Sequence, residues 1–183
     1  RVGKRISPAL VRQAVGWTRE ANIRSKGYFM LGLPGDTEET MAKTIDFAAD
    51  LDLDEAMFSL TTPFPGTRLW DELVTRQPET AFNQDFSRAY YYNSYAEEIA
   101  PFMNVSGISD RRLSQIALTA KRRVADARRL RHYRREFGPG LGRLLWNISR
   151  VRGMRRAGRA LARLIPWGGW GRFQDEEKRS WTS

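Results

Sequence analysis

The sequence predicts an α/β fold: two parallel strands flanked by helices, followed by a helical, basic extension. Three observations carry that expectation. Two short apolar runs each end in glycine and proline, and each is followed by a threonine suited to capping a helix. The connections are short, and strands alternating with helices at such spacing build parallel βαβ units. Charge then divides the chain. Residues 1–100 carry 11 Lys/Arg against 15 Asp/Glu, and residues 101–183 carry 20 against 6. The first part reads as an enzyme body and the second as a basic appendage.

Ser7-Pro8 opens the first helix, with serine as N-cap and proline at the first helical position. Leu10, Ala14, Trp17, Thr18 and Ala21 follow at helical spacing, and Asn22 is suited to a left-handed stop. Gly27–Leu33 is apolar on both faces, as expected of a buried parallel strand, and Pro34-Gly35 closes it. Thr37 caps a second helix, with Glu38 and Glu39 beside its positive end and Met41, Ile45 and Ala48 as its buried stripe to about Leu51. Ala56–Thr61 reads as the second strand, cut by Pro63-Phe64-Pro65-Gly66. Thr67 caps a third helix containing Leu69, Trp70 and Leu73. Residues 78–108 have no clear period and are rich in aromatics. Ser109 then opens a long helix to about Glu136, with Leu113, Ile116, Ala117 and Ala120 on one side. Gly138-Pro139-Gly140 breaks it. A last amphipathic helix carries Leu141, Leu144, Leu145, Ile148, Val151, Leu161, Leu164 and Ile165 opposite Arg152, Arg155, Arg156, Arg159 and Arg163, and stops at Pro166. The expected division is 1–77, 78–108 and 109–183.

The 183 residues are 41% hydrophobic and 28% charged, which suits a globular chain with a core. No apolar stretch is long enough to span a bilayer. With no cysteine the chain offers no disulfide and no thiolate for zinc or an iron–sulfur cluster, and with one histidine, His132, it has no histidine-rich metal site. The chain opens on Arg1. That opening, and two strands that alone can neither cover both faces nor close a barrel, lead to the expectation of a fragment whose other strands lie upstream.

Two segments bear on function: Gly27–Thr40, containing Leu33-Pro34-Gly35-Asp36-Thr37, and Thr62-Pro63-Phe64-Pro65-Gly66-Thr67. Each places glycine and proline at the C-terminal end of a parallel strand before a capped helix, the edge where α/β proteins bind ligands. Glycine lets the backbone approach a ligand, and the N–H groups of the next helix can meet a carboxylate or another anion. Both segments can equally be ordinary strand-to-helix turns.

In tandem, about 28 residues apart, the segments resemble the last two strands of the radical S-adenosylmethionine barrel. The likeness is to the cobalamin-binding branch and its methylthiotransferase-like relatives, and it extends over residues 1–77. It implies the C-terminal portion of a partial (β/α)6 barrel. In the intact protein it implies S-adenosylmethionine, a [4Fe-4S] cluster and cobalamin as cofactors. By position it points to Met30, Gly32, Pro34 and Gly35, then to Thr62, Pro63 and Pro65, as the cofactor-binding residues. The family's Cys-x3-Cys-x2-Cys loop, glycine-rich second-strand motif and cobalamin domain are absent from this chain. The fragment alone is therefore expected to be inactive, no catalytic residue is assigned, and no metal ligand is named. A substrate radical leading to methylation, cyclisation or rearrangement of a small-molecule or lipid-like substrate is the activity implied for the intact protein. A methylthiotransferase acting on tRNA is the nearer alternative, although such enzymes end in a β-rich domain and this tail reads as helix.

Phe82, Phe86, Tyr90, Tyr91, Tyr92, Tyr95 and Phe102 could line a substrate cavity or form a packing cluster over the barrel mouth. The basic tail admits three readings: a solvated or packed face, a peripheral anchor on an anionic membrane with Trp167 and Trp170 at the interface, or, ranked last, a nucleic-acid surface. A cytoplasmic setting, with attachment at the inner face of the membrane if the tail anchors, is the corresponding expectation. The different-class alternative is a non-catalytic basic module for RNA or an anionic membrane. Asp46, Asp50, Asp52, Asp54 and Glu55 read as a solvated helix face and loop, since they lack a compact ligand loop.

Overall fold

The computed structural model describes residues 6–81, 86 and 100–150. Helix α1, Pro8–Glu20, starts where the Ser7 hydroxyl accepts from the Leu10 N–H at 3.2 Å, and Asn22, at φ 55°, turns the chain out of it. Strand β1, Lys26–Leu31, runs parallel to β2, Glu55–Leu60, in unbroken register from Lys26 opposite Glu55 to Leu31 opposite Leu60. Between them lies α2, Glu38–Asp50, and after β2 come α3, Arg68–Arg76, and a 3-10 turn, Pro78–Ala81. The expected parallel pair with flanking helices is thus present. The first strand is shorter than expected, because Gly32 takes φ 78° and so leaves Leu33 outside the ladder.

The core lies on one face of the pair. Phe29 and Leu31 from β1 join Phe58 and Leu60 from β2, with the two phenyl rings stacked 5.3 Å apart. Met41, Ile45, Ala48 and Ala49 of α2 cover them. The long helix α4, Asp110–Phe137, adds Leu113, Ile116, Ala117, Ala120 and Val124 to the same core. The other face of β1 is open: Tyr28 is 67% exposed and Met30 50%. The expectation of a strand buried on both faces is corrected here. Exposure alternates along β1 with the period of two that a pleated strand imposes.

Ion pairs tie the helices together around that core. Arg112 of α4 holds Glu38 of α2 at 2.6 Å, and Arg123 holds Asp46 at 2.7 Å. From α1, Arg19 pairs with Asp52, and the Arg12 guanidinium lies 4.9 Å from the Phe47 ring centre. At the N-terminal edge of the sheet the Asp54 carboxylate accepts from the Ser25 N–H at 2.7 Å, and Lys26 meets Glu55 at 3.0 Å. The acidic group around residues 46–55 is therefore spent on structural contacts.

The chain divides into two compact units, Arg1–Arg128 and Arg129–Ser183. Within the second, Gly138, at φ 80°, separates the end of α4 from α5, Pro139–Arg150. Gly142 of α5 approaches the α4 backbone so closely that a Cβ there would lie 2.6 Å from the Tyr133 carbonyl carbon and 2.7 Å from the Arg134 Cα. The expected helical stop at 138–140 and restart are both present. The expected continuation over 151–170, with its leucines and arginines, lies outside the described residues, as do Trp167 and Trp170.

Candidate functional site

Both strands end at the same edge of the sheet, and one residue joins them there. Thr61, which follows β2, is buried and donates twice to the Leu31 carbonyl, from its N–H at 2.9 Å and its hydroxyl at 3.0 Å. The two glycine–proline turns therefore leave the sheet side by side. Sequence reasoning gave Thr61 no role at the site, although a β-branched hydroxyl residue directly after the last ladder position, two residues before Pro63, is the available signal.

The first turn is held by Asp36. Its carboxylate accepts from the Leu33 N–H at 2.9 Å and from the Thr40 hydroxyl at 3.2 Å, while its own N–H donates to the Leu33 carbonyl. Thr37 and Thr40 then cap each other, each hydroxyl accepting from the other's N–H at 3.2 and 2.9 Å. In the second turn, Gly66 at φ 82° lets the Thr67 N–H and hydroxyl reach the Phe64 carbonyl at 3.1 and 2.7 Å. Thr67 also accepts from the Trp70 N–H at 3.3 Å, as expected of its cap.

These bonds change what the turns can offer a ligand. At the start of α2 the N–H groups of Thr37 and Thr40 are taken by the capping box, and Asp36, Glu38 and Glu39 crowd it with carboxylates. An anion would meet like charge at that helix end. Arg112 draws the Glu38 carboxyl below its ordinary range, chiefly by hydrogen bonding and further by its charge, partly opposed by desolvation, so Glu38 stays ionised there. What remains accessible along this edge is mostly apolar or backbone: Met30, Pro34, Gly35 and Pro65 are exposed, and Thr62 is half-buried.

Gly32 and Pro63 do not reach the surface. Pro63 is among the most fully buried side chains. Gly32 lies under α4, where a Cβ would stand 3.0 Å from Cδ2 of Leu113. Its backbone freedom serves a left-handed turn and the close passage of a helix. Beside the second turn, Phe86 packs against Phe64, Trp70 and Phe102 at ring separations of 6.3, 5.6 and 5.5 Å. These members of the aromatic stretch form a packing cluster, while Phe82, Tyr90, Tyr91, Tyr92 and Tyr95 lie outside the described residues. Among the described residues no three His, Asp or Glu side chains converge on a point that could hold a metal ion. No described helix is long and apolar enough to cross a membrane.

No family model matches the chain. Curated proteins do. It is 41% identical over 73 residues to an uncharacterized methyltransferase of Pyrococcus horikoshii, a match covering 40% of this chain and 16% of that protein. It is 29% identical over 122 residues to the anaerobic magnesium-protoporphyrin IX monomethyl ester cyclase of Cereibacter sphaeroides, covering 67% and 18%. With the bacteriochlorophyllide d C-12(1)-methyltransferase of Chlorobaculum tepidum it shares 36% over 70 residues, covering 38% and 15%. The likeness supports membership of the radical S-adenosylmethionine superfamily. Each match spans less than a fifth of the relative's own length. The paired turns at one end of the parallel sheet lie at the edge where α/β folds carry their ligands.

Proposed function

We propose that this chain belongs to the cobalamin-binding branch of the radical S-adenosylmethionine enzymes. Residues 1–77 would form its last two barrel strands, 78–108 a connection and 109–183 a helical extension. The observation that carries the reading is the bond pair from Thr61 to Leu31, which sets both glycine–proline turns at one sheet edge. The exposed surface of those turns suits a flat, weakly polar group. Met30, Pro34, Gly35 and Pro65 would meet the adenine side of S-adenosylmethionine, with Thr62, whose hydroxyl donates to the Leu60 carbonyl at 3.5 Å, beside them. Gly32 and Pro63 would act from beneath by fixing the turns. The carboxylate-rich start of α2 directs the cofactor's own carboxylate elsewhere.

The residues present do not fit a [4Fe-4S] cluster, since no cysteine exists to ligate it. Its ligands, and any cobalamin, would belong to other parts of the intact protein. S-adenosylmethionine, when bound beside a reduced cluster, supplies a 5′-deoxyadenosyl radical, and the protein contributes binding, orientation and exclusion of water. Two of the relatives are named methyltransferases and one a cyclase, which favours methylation or ring closure among the outcomes. The tRNA methylthiotransferase reading is disfavoured by α4 and α5, which are helical where a β-rich RNA-binding domain would be expected.

Met30 offers a direct test because it is half exposed and lies outside the buried core cluster. In the native protein that carries this chain, Met30→Glu should weaken S-adenosylmethionine binding by about tenfold with an unchanged melting temperature, since about 1.4 kcal/mol is a tenfold change. Unaltered binding would remove Met30 from the site and with it the adenine-side assignment.

A further inference from the structure

The last described helix has an apolar edge that its own packing does not use. On α5 the residues turned toward α4 are small or partly covered: Gly142 is buried against the Tyr133 backbone, while Trp146 and Ser149 are half-buried. The apolar stripe lies elsewhere on the helix. Leu141, Leu144, Leu145 and Ile148 follow the spacing of one helical face; Leu145 and Ile148 are half-buried, whereas Leu141 is 53% and Leu144 55% exposed. Arg143 and Arg150, seven residues apart and so two turns along one side of the helix, lie opposite the stripe and are exposed, with the Arg150 guanidinium 4.7 Å from the Trp146 ring centre.

Charge sharpens the picture. The unit Arg1–Arg128 has 17 Lys/Arg against 17 Asp/Glu, whereas Arg129–Ser183 has 14 against 4. The chain's entire net charge of +10 therefore sits in the second unit. Arginine density alone would suit nucleic acid phosphates, but that reading leaves two half-exposed leucines without a role. A bilayer accommodates both features, taking leucine side chains below the headgroups while long arginine side chains reach back to lipid phosphates.

We propose that α5 lies on an anionic lipid surface, with Leu141 and Leu144 inserted at the headgroup boundary and Arg143 and Arg150 reaching toward the phosphates. The proposal is independent of the radical chemistry, since it uses no residue of the barrel turns. It places the chain where an apolar, membrane-dissolved substrate could be met.

The test uses the full 183-residue chain and sedimentation with vesicles of equal parts phosphatidylcholine and phosphatidylglycerol. The chain should pellet with these at low salt and far less with phosphatidylcholine alone. Leu141→Gln combined with Leu144→Gln keeps the charge and touches no buried position, so helicity by circular dichroism should be unchanged. That variant should bind anionic vesicles about tenfold more weakly, because the apolar insertion is lost. Equal binding by variant and wild type would overturn the proposal. So would failure of the wild type to pellet, or a chain that ignores vesicles yet retains a single-stranded RNA oligomer equally well with and without the leucines.

Discussion

Thr61 donates two hydrogen bonds to a single acceptor, the carbonyl of Leu31, one from its backbone and one from its hydroxyl. The first continues the β ladder by one residue and the second reinforces it at the point where both chains turn away. Thr61→Val keeps the shape and the backbone bond while removing the hydroxyl. It should cost about 1 kcal/mol in denaturant-induced unfolding, the usual net value of one buried bond. A neutral result would mean that the hydroxyl does not hold the two turns together.

Gly32 has two separate reasons to be glycine: φ 78° and the Leu113 side chain at 3.0 Å from where a Cβ would stand. Gly32→Ala should destabilise the chain by at least about 2 kcal/mol, combining left-handed strain with overpacking. Trimming the neighbour separates the two. In the double variant Gly32→Ala, Leu113→Ala, the combined loss should be smaller than the sum of the single losses, because the crowding is gone and only the backbone strain remains. Strict additivity would show that the contact with α4 plays no part.

The secondary structure around the sheet was legible because it is written in local chemistry. Ser7, Thr37 and Thr67 each cap the helix they precede, and Asn22 takes the left-handed conformation at the end of α1. Burial was less legible. Tyr28 and Met30 carry large apolar surfaces as Phe29 and Leu31 do, and the tertiary arrangement decides which face α2 and α4 cover. The same holds at the site. Glycine at 32 reads equally as room for a ligand or for a helix, and the deciding neighbour, Leu113, is 81 residues further along the chain. The role of Asp36 in holding its own turn was also hidden, since an aspartate after proline–glycine reads simply as a turn residue.

The bridge from Arg112 to Glu38 should leave a signature in acid. The Glu38 carboxyl is held below its ordinary value of 4.5 in the folded chain, so its contribution is present above that value and is lost as pH falls through the lower folded value. Glu38→Gln should therefore lower the melting temperature slightly near neutrality, and the gap to wild type should close in that acid range. High salt should narrow it as well, the pair being exposed. A gap that is constant from neutral to strongly acidic solution would mean that the ion pair does not contribute.

The α4–α5 contact depends on the absence of one methyl group. Gly142→Ala would drive a Cβ into the Tyr133 carbonyl and the Arg134 Cα, which are backbone and cannot swing aside. Amide exchange along α5 should accelerate in that variant while the amides of β1 and β2 keep their protection. Unchanged exchange in α5 would show that the helices do not approach so closely in solution.

The 183-residue chain by itself, supplied with iron, sulfide and reductant under anaerobic conditions, should show neither cluster absorbance nor cleavage of S-adenosylmethionine, since it has no thiolate. The decisive measurement is made on the native protein that carries this chain, with its cluster reconstituted. Given S-adenosylmethionine and a one-electron reductant, it should release 5′-deoxyadenosine, detected by mass spectrometry, and Met30→Glu should reduce that release at limiting cofactor. A native protein loaded with its cluster that forms no 5′-deoxyadenosine would contradict the assignment to radical S-adenosylmethionine chemistry.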